Sequence, residues 1–194
     1  MITLWKSLIL PVLEYGSQLW CPSKRKDIES IEALQRTFTS RIADMQELSY
    51  WERLQYLQLY SLQRRRERYL IIYLWKIIEG KVPNIRLREG NISTKTSERR
   101  GRMCELRKIQ TKASEKIKTL VDANFAVRAA KLFNALPRAI RNTTGVSTET
   151  FKKRLDAFLR ALPDKPPVAG YPRSMDNTIE AAASRRGYTG KPGD

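Results

Sequence analysis

Few side chains in this sequence could do covalent or acid–base chemistry. Histidine is absent from all 194 residues. That removes Ser-His and Cys-His nucleophile pairs, imidazole metal sites and the usual near-neutral proton carrier. Cys21 and Cys104 are the only cysteines, too few for a disulfide framework or a four-ligand zinc site. Two-metal nucleotidyl transfer needs clustered carboxylates, yet no two acidic residues are adjacent. Asp27 and Glu29 come closest, and on a helix they would point about 200° apart. There is no Gly-rich phosphate loop or Walker-type lysine, and no carboxylate pair stands out for glycoside hydrolysis. The polypeptide by itself is expected not to be an enzyme.

Cation chemistry remains. The chain carries 37 Lys+Arg against 20 Asp+Glu, a formal net charge of +17. Residues 81–162 hold 20 of the basic and 7 of the acidic residues, whereas residues 1–80 hold 12 and 9. Arg64, Arg65 and Arg68 span one helical turn, and Arg128 and Lys131 share a face at i, i+3. Between them lies the Arg86–Lys118 segment with Arg99, Arg100 and Arg102. Single charged faces are usually just solvated. Several in one chain point to a polyanion, and phosphate contacts supply most non-specific nucleic-acid affinity. These Arg and Lys residues are therefore the candidate contacts. Trp5, Trp20, Trp51 and Trp75 could stack on bases, although Trp5 and Trp75 lie on apolar stripes and read as core.

Helices must position these groups. Leu4, Leu8, Val12, Tyr15 and Leu19 recur at helical spacing over Thr3–Trp20, with Pro11 expected to kink or split the element. Ile28, Ile31, Leu34, Phe38 and Ile42 mark a helix over Lys26–Ala43. Ser49 and Glu52 form a capping box for a short helix at Tyr50–Leu57. Leu62–Glu79 is the strongest helix, stopped by Gly80 and apolar around most of its second half, with a basic face at its start. Asn124 caps Phe125–Leu136, and Ser147 or Thr148 caps Glu149–Leu162, whose stripe is Phe151, Leu155, Phe158, Leu159 and Leu162. Strand signal is weak, and Met103–Ile109 is the best candidate.

These elements predict a mainly α chain. A helical bundle over 1–80 is followed by a basic, partly extended connector over 81–120, a small helical pair over 121–162 and a disordered tail over 163–194. No transmembrane segment is expected, because the most apolar run, Tyr69–Ile78, spans ten residues and contains Lys76, about half of what a membrane span needs. No secretory signal is found: Lys6 interrupts the apolar stretch Met1–Val12, and no cleavage site follows. An intracellular, nuclear or cytoplasmic location with free thiols is expected.

A family resemblance lies in an ordered series of short motifs. Leu4-Trp5-Lys6-Ser7-Leu8 is followed by Pro11, Leu13-Glu14-Tyr15, Trp20 and Pro22, then by Lys26-Asp27-Ile28, Ile31-Glu32 and Leu34-Gln35-Arg36. Leu48-Ser49-Tyr50, Glu52-Arg53-Leu54, Leu59, Leu62 and Arg64-Arg65-Arg66 come next. The series resumes with Phe125, Arg128, Phe133-Asn134-Ala135-Leu136-Pro137, Phe151-Lys152, Leu155-Asp156 and Phe158-Leu159. Residues 1–162 thereby resemble the thumb and downstream region of jockey-like non-LTR (LINE-type) retrotransposon reverse transcriptases. The resemblance implies a thumb-like C-terminal fragment of an RNA-directed DNA polymerase. It would bind the template–primer, RNA and DNA, beside the missing palm and fingers region. The family's Ala-Asp-Asp carboxylates, which serve the Mg2+ of the parent polymerase, have no counterpart here, so no catalytic residue and no cofactor carries over. The alternative from another class is a free-standing basic helical interaction protein docking on an acidic protein or an anionic membrane surface, with the Tyr69–Ile78 run behind an Arg cluster as its support.

Overall fold

A computed structural model describes residues 2–20, 22, 25–83, 92–106, 124–165 and 177–187. Among these residues the chain is mainly helical, with one two-stranded antiparallel sheet. It divides into two compact units, Met1–Arg66 and Glu67–Asp194. The division falls inside a helix and not after Gly80. No described helix is long and apolar enough to cross a membrane.

Unit 1 opens with α1 (Ile2–Leu4), a π-helical turn (Trp5–Ile9) and α2 (Leu10–Glu14). Pro11 has no N–H to give to a carbonyl one turn back, and the chain absorbs this by widening the preceding turn, where Leu10 N–H reaches Trp5 O. The wide turn places Trp5 and Leu10, five residues apart, on one buried face with Leu62, and Ile2, Leu13, Ile31 and Phe38 pack against them. Trp5 stacks on Phe38 at 4.4 Å. The residues expected to form the inner stripe consequently face outward, and the helix expected to run to Trp20 ends at Glu14, leaving Tyr15 and Leu19 in the turns beyond it. Leu4, Leu8 and Val12 are 59, 62 and 72% exposed, and Tyr15 and Leu19 are exposed as well.

Helix α3 (Arg25–Ser40) packs Ile31 and Phe38 of its expected stripe against that cluster and buries a neighbouring polar face as well. Its buried residues are Glu32, Gln35 and Thr39, while Leu34 of the expected stripe is exposed. This polar face meets polar partners. Glu32 Oε1 accepts from Gln63 N–H at 2.7 Å, and Glu32 Oε2 accepts from the Tyr50 hydroxyl. Gln35 Nε2 donates to Tyr50 Oη (3.2 Å) and Tyr60 O (3.0 Å), and Arg53 Nε donates to Thr39 Oγ1 (3.2 Å). Burial of such groups is tolerable because they bond one another. Helix α4 (Tyr50–Tyr56) begins with the capping box expected of Ser49 and Glu52, both bonds present.

Helix α5 (Leu62–Ile78) starts in unit 1 and supplies the core of unit 2. Leu70, Ile71, Leu74 and Trp75 are at most 1% exposed, each worth about 2–3 kcal/mol of burial. The helix ends in a Schellman motif: Lys81 N–H reaches Lys76 O, Gly80 N–H reaches Ile77 O, and Gly80 sits at φ +65.

Strands β1 (Ile92–Ser97) and β2 (Gly101–Leu106) then pair antiparallel, with Ser97 opposite Gly101 and Thr94 opposite Cys104. The expected strand overlaps β2 but began too late, and the expected connector is in part a hairpin. Residues 84–91 and 107–123 of that connector lie outside the described residues. Three further helices follow: α6 (Phe125–Asn134, capped by Asn124), α7 (Arg138–Arg141) and α8 (Thr148–Ala161, capped by Ser147). Phe133, Leu136, Phe151, Leu155 and Leu159 are all buried.

The expected disordered tail needs correction. Helix α9 (Ile179–Arg185) is capped by Thr178, packs against α6 and buries Ile179, Ala182 and Ala183. Glu67 Oε2 accepts its first N–H, from Ile179, at 2.7 Å. An apolar face this short is hidden by the Pro- and Gly-rich average of the segment around it. The rest of the tail, 166–176 and 188–194, lies outside the described residues.

Candidate nucleic-acid interface

The basic residues separate into those held inside the fold and those left at its surface. The start of α5 is not the solvated basic face expected. Arg64 is 0% and Arg66 3% exposed, because the first turn of α5 stands among the buried polar groups of unit 1. Ser61 Oγ accepts from Arg64 N–H at 3.1 Å. Arg66 Nη2 donates to Leu13 O at 2.8 Å, and its guanidinium lies 4.7 Å from the Trp20 ring. That stacking gives Trp20 a cation partner from its own unit. Trp51 is half-buried beside Tyr50. Arg65 pairs with Glu14, its side chain 25% exposed. In unit 2, Arg68 makes a two-pronged pair with Asp156, Nε to Oδ1 at 2.5 Å and Nη2 to Oδ2 at 2.8 Å. Both bonds are charge-assisted, and the fork matches the carboxylate.

The connector residues fare differently. Arg99 and Arg100 sit in the turn of the hairpin and are exposed. Arg102 points back: its Nη1 lies 2.7 Å from Glu79 Oε1, and Glu79 Oε2 accepts from Gly145 N–H at 2.8 Å. On α6, Arg128 is half-buried and Lys131 exposed. The hairpin turn is thus the one place where two of the candidate residues stand side by side in solvent among the described residues.

What holds the hairpin is a set of side chains that the charge-based reading passed over. In an antiparallel ladder, alternate residues turn N–H and C=O away from the partner strand. On β2 these are Arg102 and Cys104. Asn134 takes both groups of Cys104, its Oδ1 accepting from the N–H (2.9 Å) and its Nδ2 donating to the C=O (2.8 Å). Asn142 Oδ1 accepts from Arg102 N–H at 2.8 Å, and Arg141 Nη1 donates to Arg102 O at 2.9 Å. Arg141 also donates to Leu136 O at 2.8 Å and touches Met103 Sδ. Helices α6 and α7 therefore act toward β2 as a third strand would. Asn134 lies within the Phe-Asn-Ala-Leu-Pro motif, and that pairing of a donor and an acceptor on one short side chain was the available signal.

Gly101 makes the close approach possible. It sits at φ +69, and a Cβ there would lie 2.6 Å from Asn142 Oδ1 and 2.9 Å from Arg138 Cγ. Burial pushes Arg141 below its ordinary pKa. It pushes the Cys104 thiol up from 9.0 to about 12, opposed only in part by Arg102 and Arg141. The thiol is therefore neutral and shielded, and native protein treated with iodoacetamide should show Cys104 unmodified by peptide mapping until denaturant is added. Because the folded pKa is the higher one, the stabilisation is complete below pH about 9 and is lost as pH rises toward 12. A Cys104→Ala variant should lose less stability over that window than the parent chain, measured by urea unfolding at several pH values.

Among the described residues no group of three or more acidic or Cys side chains could hold a metal ion. Comparison with family models, with curated proteins and with solved structures finds no match.

Proposed function

We propose that this chain is the thumb-and-downstream, C-terminal portion of a non-LTR retrotransposon reverse transcriptase, a non-catalytic piece that holds template–primer nucleic acid through phosphate contacts. The observation that carries the reading is the ordered series of short motifs over residues 1–162. Supporting it, many of the motif residues occupy framework positions, although Leu4, Leu8, Tyr15, Trp20 and Leu34 are exposed. Trp5, Tyr50, Leu54, Leu62, Phe133, Leu136, Phe151, Leu155 and Leu159 are buried, and Asn134 clamps β2. Motifs that serve packing suit a part of an enzyme that lacks the reaction centre. The net charge of +17 supports a polyanionic partner.

The test is binding of the full chain to an RNA–DNA hybrid across a salt series, with a parallel nucleotide-incorporation assay containing Mg2+. Affinity should fall steeply and linearly in log–log form as salt rises, and incorporation should read zero. Affinity indifferent to salt would sink the phosphate-contact reading, and incorporation would sink the non-catalytic one.

A specific observation favours a second reading, a basic interaction protein that docks on an acidic protein or an anionic membrane. The Tyr69–Ile78 run gives it no support, since Leu70, Ile71, Leu74 and Trp75 are buried. The exposed apolar side chains of Leu4, Leu8, Val12, Tyr15 and Leu19 do. Flotation with anionic liposomes, strong while hybrid binding is weak, would select it.

A further inference from the structure

A surface hairpin normally buries one face of its ribbon. This one is held along the edge of β2, where the Cys104 side chain is also buried. The outward backbone groups of Arg102 and Cys104 are taken by Asn134, Arg141 and Asn142, and Gly101 brings β2 against Asn142. From Ser93 to Arg100 every residue is exposed. That stretch reads Ser-Thr-Lys-Thr-Ser-Glu-Arg-Arg, without an apolar side chain. The turn is itself ordered, with Ser97 Oγ accepting from Arg100 N–H at 3.1 Å.

We propose that the β1–β2 hairpin is a docked arm whose exposed turn and strand, Arg99 and Arg100 with the hydroxyls of Thr94 and Thr96, bind the phosphate backbone of a nucleic acid; Lys95, 2.6 Å from Glu105 Oε2, is held within the hairpin. The proposal rests on the nucleic-acid reading above and names the surface that would carry it. Arg, Lys, Ser and Thr are the side chains that bond phosphate oxygens and fix position without reading bases. Protein interfaces draw their affinity from buried aromatic and apolar anchors, and the arm offers none. That favours nucleic acid over an acidic protein. Holding the arm in advance also lowers the ordering cost of binding. Arg102 belongs to the anchor and not to the contact surface, since it is tied to Glu79.

The experiment measures binding of the full chain to a fluorescein-labelled RNA–DNA hybrid by anisotropy between about 50 and about 200 mM salt. Arg99→Ser/Arg100→Ser is compared with Lys153→Ser/Arg160→Ser, which removes the same charge from exposed positions of α8. Both variants are checked for unchanged circular dichroism. Two lost phosphate contacts should lower the log–log salt slope by about 1.8, so that the drop in affinity over this range is about tenfold smaller than for the parent chain. The α8 variant should keep the parent slope, and Arg99→Lys/Arg100→Lys should restore it. A parent chain that binds while both Ser variants behave alike overturns the arm and leaves the nucleic-acid reading standing. A parent chain that does not bind overturns both. Displacement of the hybrid by polyglutamate at equal charge concentration overturns the choice of nucleic acid as partner.

Discussion

Trp75→Ala should lower the stability of unit 2 by about 4–5 kcal/mol, the largest single loss expected in this chain. The indole is 0% exposed and lies flat on Phe151, with ring centroids 4.3 Å apart and planes within 5°. Its Nε1–H donates to Thr143 O at 2.9 Å, and the Lys81 ammonium stands 5.0 Å from the ring. Truncation removes the stacked area, opens a cavity and orphans a buried carbonyl, and these losses act in the same direction. With a urea dependence of about 2 kcal/mol per molar, the unfolding midpoint should fall by about 2 M. Trp75→Phe keeps most of the stacking and loses the bond to Thr143, so about 1–2 kcal/mol is expected. Far-UV circular dichroism is the suitable probe because the substitution removes a fluorophore. A loss below about 1 kcal/mol for the alanine variant would contradict the packing described.

Asn134→Leu should release the hairpin from the helices. Leucine has nearly the same size, but Cys104 is 4% exposed and its N–H and C=O would both lose their partner. Two unsatisfied buried groups cost about 2–5 kcal/mol together. Amide exchange at Arg102 and Cys104 should quicken far more than exchange in α8. Asn134→Asp sharpens the result: a carboxylate still accepts from Cys104 N–H but cannot donate to Cys104 O. The aspartate variant should therefore also be destabilised, although it keeps the size and one of the two bonds. Equal exchange at Cys104 in all three proteins would remove Asn134 from its role.

Both substitutions fall where local and distant information meet, and that boundary separates what was legible beforehand from what was not. Ser49 with Glu52, Asn124, Ser147 and Gly80 act within a few residues of themselves, so their caps and stops could be read from sequence. The burial of Ile71, Leu74 and Trp75 was legible too, because one helix cannot hide so wide an apolar face except in a core. The inward face of α2 was not, since the π-turn before Pro11 breaks the 3.6-residue period on which such readings depend. Nor was the polar inward face of α3. Glu32, Gln35 and Thr39 are buried because Tyr50, Arg53 and Gln63 meet them, and nothing near residues 25–40 announces those partners. For the candidate interface, charge found Arg99 and Arg100 but could not tell them from Arg68, whose partner Asp156 is 88 residues away.

The exposed apolar side chains of the first twenty residues have a consequence for handling the protein in solution. Copies carrying +17 repel one another at low ionic strength, and the repulsion should keep the exposed Leu4, Leu8, Val12, Tyr15 and Leu19 of one molecule from meeting those of the next. Added salt shortens the reach of that repulsion to about 3 Å at 1 M while leaving apolar attraction in place, and sulfate strengthens it. The protein should then be easiest to concentrate in dilute buffer and cloud as salt is raised, so that high-salt washes chosen to strip bound polyanions would also promote self-association.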